Sequence, residues 1–177
     1  MIRHLGTISL AAENFVSRVN HNFGAGELYM SLDYKKIVLG GLGGTAAMTV
    51  VGLWGAPMMG LAPMNPAAML AGAMGGVVAA GWVAHFMIGI VLAIGYALVA
   101  THLPGPAAAR GALYAVAPWL MAQLLVMPMM RMPVFSGSIM MAMGSLLGHL
   151  VYGAVMGGII GNGVREPVAG GMQRGAA

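Results

Sequence analysis

Cysteine is absent from the 177 residues. Disulfides, thiolate zinc centres, iron–sulfur clusters and thioether-attached haem are therefore excluded. Any metal or haem must be held by His, Met or an oxygen ligand. Acid is nearly absent as well: the four carboxylates are Glu13, Glu27, Asp33 and Glu166, and all lie outside the long apolar runs. Proton- and sodium-coupled carriers usually keep a carboxylate at membrane depth, where it is retained for function against a penalty of about 3 kcal/mol. This chain has none there. Charged residues of both signs make up 7% of the sequence, against about 25% in soluble domains. No Ser-His-Asp set, no His-Glu metal motif and no phosphate-cradling loop followed by Lys is present, so nothing points to an enzyme.

What fills the chain instead is apolar: 59% of residues are hydrophobic and the mean hydropathy is +0.86. The sequence reads as an all-α integral membrane protein with four spans, drawn at Ile37–Leu61, Val77–Ala100, Gly111–Met130 and Gly144–Gly161, each near the ~20 residues that a bilayer core requires. In the first connection, "APMNPAAMLAGAMGG", Asn65-Pro66 fits a helix cap followed by Pro at the first helical position, which predicts a short helix. The second, "THLPGPAAARG", is a turn with two prolines. The third, "RMPVFSGSIMMAMG", ends in a Ser-Gly-Ser helix start. Ahead of the spans, Ile8, Ala12, Phe15, Val16 and Val19 recur at helical spacing, which predicts an interfacial amphipathic helix. The chain then divides into a cytoplasmic N-terminal segment (1–34), a transmembrane domain (35–162) and a tail (163–177).

The net charge of +4 comes from few basic residues, and they act as topology signals, with no sign of a nucleic-acid surface. Arg3, Arg18, Lys35 and Lys36 precede the first span, Arg110 lies between the second and third, and Arg165 and Arg174 follow the fourth. Only Arg131 lies on the other side. The excess of positive charge on cytoplasmic loops places both termini in the cytoplasm, in a bacterial inner membrane.

The two halves resemble each other. "GAPMMGLAPM" (55–64) ends the first span much as "VMPMMRMPVF" (126–135) ends the third, and Met74-Gly75 or Met143-Gly144 leads to a span with one histidine, His85 or His149. Two spans per unit make parallel two-helix repeats about an axis along the membrane normal. Residues four apart share a helix face, so each histidine lies in a stripe of small residues: Gly81-His85-Gly89-Ala93 and Ser145-His149-Gly153-Gly157. Gly40-Gly44 and Gly41-Thr45 offer similar stripes on the first span. Small stripes let helices approach closely in lipid, and a compact four-helix bundle is expected.

Three readings of the histidines stand open. In the first, His85 and His149 are axial ligands of a b-type haem, with Gly89 and Gly153 leaving room for the macrocycle. In the second the protein binds Cu(I), since twelve of the 19 methionines fall in or beside the first and third connections and thioethers favour that ion; Met129, Met130 and Met132 are the candidate ligands. In the third, no cofactor is bound, and each ring donates a hydrogen bond across the bundle, to a backbone carbonyl or to a hydroxyl, with Thr45, Thr49, Gln123 and Ser145 nearby. Trp54, Trp82 and Trp119 read as packing or interface anchors.

The elements "PMMGLAPMNPAAMLAG", "GWVAHFMIGIVLAIGYAL", "HLPGPAAARGALYA" and "SLLGHLVYGAVMGGIIG" together resemble a family of small bacterial and archaeal four-span membrane proteins known only as a domain of unknown function. The likeness runs from about Lys36 to Gly161 and implies a fold and topology, with no activity or site. The expected role is a non-catalytic accessory subunit embedded in lipid, packing with other subunits of a larger membrane complex such as a respiratory oxidoreductase. A cofactor protein is the alternative, and a small-solute channel or carrier a weaker one.

Overall fold

The computed structural model describes residues 33–162. The expected interfacial helix and C-terminal tail lie outside these residues. Everything described is helix or connection. Four helices are long and apolar enough to cross a membrane: α1 (Tyr34–Met58), α3 (Val78–His102), α4 (Ala107–Met129) and α5 (Ile139–Ile160). The short α2 (Pro66–Ala73) lies between the first two. At 22 to 25 residues each long helix measures about 33–38 Å, enough for a hydrocarbon core of about 30 Å. The chain is a multi-pass membrane protein.

Helix starts follow local side-chain chemistry. Asp33 accepts from the Lys36 amide at 3.2 Å, Asn65 from that of Ala68 at 3.0 Å with Pro66 at the first helical position, and Ser138 from that of Met141 at 3.5 Å. Each cap satisfies an amide that would otherwise be orphaned. The Ser138 cap sets α5 off at Ile139, five residues before the span drawn from hydropathy. As a result Met143-Gly144 lies inside α5, whereas Met74-Gly75 lies in the turn before α3, where Gly75 has a φ of 71°. The two Met-Gly pairs are therefore not placed alike.

The ends of α1 and α4 share a device that hydropathy does not show. Each contains a five-residue π-turn, Val51–Gly55 and Ala122–Val126, directly before a short α-turn with a central proline, Pro57 and Pro128. A proline inside an α-helix collides with the carbonyl four residues earlier, here that of Leu53 or Leu124. Widening the turn moves that carbonyl aside. Each helix then stops at a left-handed residue, Gly60 (φ 77°) or Arg131 (φ 60°). Arginine adopts this conformation at a cost of about 1–2 kcal/mol.

Three antiparallel interfaces build the bundle in the order α3, α1, α5, α4. Between α1 and α3, a Cβ on Gly41 would come within 2.8 Å of the Ile90 Cα, and one on Gly89 would overlap the Thr45 hydroxyl. Between α1 and α5, a Cβ on Gly40 would meet Ile160 at 2.7 Å and one on Gly44 the Tyr152 carbonyl at 2.7 Å. The tightest approach joins α4 to α5, where a Cβ on Gly111 would overlap the Gly153 carbonyl and one on Gly153 the Gly111 carbonyl. The two stripes expected on α1 thus serve one neighbour each. Helix α2 closes on α3 where Gly81 faces the Ala67 carbonyl.

The remaining side, between α3 and α4, is joined by tyrosines. Tyr114 donates to the Leu92 carbonyl at 3.0 Å and its ring meets that of Tyr96 edge-on at 5.6 Å. Tyr96 lies 3.2 Å from the carbonyls of both Ala107 and Gly161, drawing three helix ends together. The largest buried cluster surrounds it, with Ile37, Ala93, Ala97, Tyr152, Met156 and Ile160. Arg110 closes this end, its guanidinium donating to Asn162 at 2.9 Å.

Gly89→Leu and Gly111→Leu are expected to lower the yield of folded protein sharply, because the atoms in the way are backbone or a hydrogen-bonded hydroxyl; overpacking costs of about 1–3 kcal/mol are a lower bound here. Gly72→Leu, with nothing within 4 Å of the added Cβ, should leave yield and thermal unfolding in detergent unchanged. Equal tolerance at all three would show that the stripes face lipid.

Candidate functional site

Hydrocarbon supplies no hydrogen-bond partner, so polar side chains at membrane depth must find partners inside the protein. In this bundle, those other than the tyrosines gather into two clusters, each holding one histidine.

The first lies between α1 and α3. His85 is buried, at 7% exposure, and its Nε2 lies 3.1 Å from the Thr49 hydroxyl. That hydroxyl donates its single hydrogen to the Thr45 carbonyl at 2.7 Å, so the ring must be the donor and carries its proton on Nε2. Thr45 repeats the pattern one turn earlier, donating to the Gly41 carbonyl at 2.7 Å. Both threonines thereby satisfy themselves on α1, and Thr49 keeps a lone pair for α3. Trp82 and Phe86 flank the imidazole edge-on, with centroids 6.2 and 5.8 Å away.

The second lies between α4 and α5. His149 Nδ1 is 2.8 Å from the Ser145 carbonyl. A carbonyl only accepts, so this ring is protonated on Nδ1. The bond closes within α5, not across the bundle as expected, because the preceding turn offers its carbonyl at the four-residue spacing. The link between helices is made by Ser145 instead. Its hydroxyl accepts from the Trp119 indole at 3.0 Å and from Gln123 at 2.9 Å, while donating to the Ala142 carbonyl at 3.0 Å. Gln123, only 1% exposed, receives Ser136 of the last connection at 3.4 Å. Phe135 and Ser136 both adopt left-handed backbone, with φ of 52° and 57°. Phe135 stacks against Trp119 at 6.1 Å.

Each imidazole therefore has its N–H committed and its other nitrogen, Nδ1 of His85 and Nε2 of His149, left as an acceptor. Tyr152 of α5 donates to the Gly89 carbonyl of α3 at 2.7 Å, pinning the two histidine helices one turn away. Gly89 and Gly153 are filled by neighbouring helices. A haem plane resting on those glycines would have to displace Thr45 and the α4 backbone, and the residues present do not fit it.

The methionines divide by position. Met129 is 74% exposed and Met132 is exposed at the end of α4, with Met130 half-buried, while Met127 beside them is buried. Two thioethers lie on the interior side: Met64, one of the twelve methionines counted in or beside the connections, and Met48, which sequence reasoning did not single out. Met64 reaches over Gly144, and Met48 packs its γ-carbon 3.5 Å from where a Gly148 Cβ would stand. The signal that could have found them is the glycine opposite each. Among the described residues no group of three or more His, Asp or Glu side chains forms a metal site.

Fold and site together define a small four-span membrane bundle whose interior polar groups join helices in pairs. The chain belongs to a family of unknown function, DUF6789, which matches residues 33–167. No curated protein matches it. No solved structure matches it either.

The tautomers are directly measurable. Nitrogen NMR of labelled protein should show His85 protonated on Nε2 and His149 on Nδ1. The opposite assignment at His149 would mean that its bond to Ser145 does not form.

Proposed function

We propose that this protein is a non-catalytic accessory subunit that packs within a larger membrane complex, with a respiratory oxidoreductase the first complex to examine. The observation that carries the reading is the use made of the polar groups. Among the described residues no buried side-chain nitrogen or oxygen lacks a partner; Thr45, Thr49 and His149 bond back onto their own helices, while His85, Trp119, Gln123, Tyr114 and Tyr152 reach across to neighbouring ones. Bonds of this kind are worth about 0.6–2 kcal/mol each and fix helix register. Outward, α3 presents Val83, Met87, Val91, Ile94 and Leu98. On α5, the exposed Gly158 has nothing within 4 Å of an added Cβ, which leaves backbone open for another helix. Solubilised mildly from its native membrane, the protein should migrate in native gels far above its 18.1 kDa mass, and Gly158→Leu should release it while leaving its own fold intact. Migration as a free chain under the mildest conditions would count against the reading.

Two finer features belong to the same reading. The π-turn, proline and left-handed stop recur at a spacing of 71 residues, Pro57 to Pro128 and Gly60 to Arg131, which supports α1–α3 and α4–α5 as parallel repeats. The charge distribution supports cytoplasmic termini. With no native cysteine, single cysteines at Ala68 and Ala108, both exposed, should label only from outside and only from inside, respectively. The reverse pattern would invert the topology.

A further inference from the structure

The ends of α1 and α4 are built alike down to single backbone bonds. Around Pro57, the amides of Met59 and Leu61 both donate to the Ala56 carbonyl, and that of Gly60 to the Pro57 carbonyl, each at 3.0 Å. Around Pro128, Met130 and Met132 donate to the Met127 carbonyl at 3.1 and 2.9 Å, and Arg131 to the Pro128 carbonyl at 2.9 Å. Every bond of the second set has its counterpart in the first. Gly60 enters the left-handed stop freely, whereas Arg131 enters it at a cost, so the second copy keeps this geometry against a penalty.

The shared scaffold turns the residue before each proline inward and the residue after it outward. Ala56 and Met127 are buried, while Met58 and Met129 are 88% and 74% exposed, more than any other described methionine. Leucine would cover the same apolar surface. A thioether adds one chemistry to it, because its sulfur lone pair accepts an oxygen atom. That reaction needs access from water and no second side chain. Both sulfurs stand where their helices stop, at the same end of the bundle, and the backbone bonds hold them there.

We propose that Met58 and Met129 are a paired oxidation site for hydrogen peroxide, taking up oxygen at this end of the bundle while the interior methionines stay reduced. The sulfur lone pair attacks one peroxide oxygen, and the S–O bond forms as the O–O bond breaks. The departing hydroxide takes the proton from the transferred oxygen and leaves as water. Sulfur loses two electrons and the peroxide gains them. Each flexible apolar side chain becomes a polar sulfoxide, outside the helix contacts, so the bundle keeps its fold. The proposal needs the four spans and not the accessory role, and it is tested on the chain alone, so the failure of one leaves the other standing.

For the test, the full-length protein in vesicles of saturated phosphatidylcholine is treated with hydrogen peroxide, sampled over time and digested for mass spectrometry. A gain of one oxygen atom is expected first at Met58 and Met129. It should precede any gain at Met127, two residues from Met129 but only 9% exposed, or at Met87 and Met121, which are exposed within the spans where lipid covers them. Met58→Leu should lose one of the two early additions and Met129→Leu the other. Thermal unfolding in detergent should be the same before and after both sulfurs are oxidised. Oxygen appearing at Met127 as fast as at Met129, or at Met87 or Met121 as fast as at Met58, would overturn the proposal. So would the absence of both early additions, or unfolding of a chain oxidised at these two positions alone.

Discussion

The contact between the Gly111 and Gly153 backbones is the constraint on which the bundle most depends. In lipid, apolar side chains gain little by meeting one another, so association rests on close packing and on hydrogen bonds between helices. A glycine opposite a glycine lets two helix backbones touch, which multiplies dispersion contacts and brings Cα hydrogens to carbonyl oxygens. Helix α5 does this toward α4, and on a second side its glycines receive side chains. Its Gly153 and Gly157 take α4, and its Gly144 and Gly148 take Leu61, Met64 and Met48 from the first half. With α1 it is one of the two inner helices of the four.

Polar chemistry follows from that packing. Helices this close leave room only for small hydroxyls and a few rings, and each of these is satisfied locally. Thr45 and Thr49 turn back on their own helix, Ser145 gathers Trp119 and Gln123, and the three tyrosines reach carbonyls of neighbouring helices or their ends. A carbonyl already bonded within its helix has a second lone pair to offer, which is why tyrosine can join helices without breaking them. Conformational strain gathers at one end, in Arg131, Phe135 and Ser136, where the last connection folds over Gln123.

Much of this was legible in the sequence, and for identifiable reasons. Four spans, the Asn65-Pro66 cap and the Ser138 start rest on local signals: hydropathy, the capping residue and proline at the first position. The small stripes were legible because four-residue spacing on a helix is geometry, and Gly81, His85, Gly89 and Ala93 are all buried. The same rule applied to Ala107-Gly111-Ala115 or Gly144-Gly148 would have marked the other faces. The π-turns were not legible, since proline in a span permits a kink or a widened turn equally. Nor was the acceptor of His149, because the carbonyl of its own preceding turn competes with every partner across the bundle. Tyr96, Tyr114 and Tyr152 went unmarked since aromatic residues in apolar runs read first as bulk.

A leucine scan along α5, read as folded protein recovered in detergent, tests the account most directly. Intolerance at Gly144, Gly148, Gly153 and Gly157, with tolerance at Met143, Leu147 and Gly158, is the expected pattern: two buried faces on one helix, with lipid or a partner on the third. Tolerance at Gly153 and Gly157 would contradict it, since no arrangement with α4 seated on those glycines could accept the added side chains.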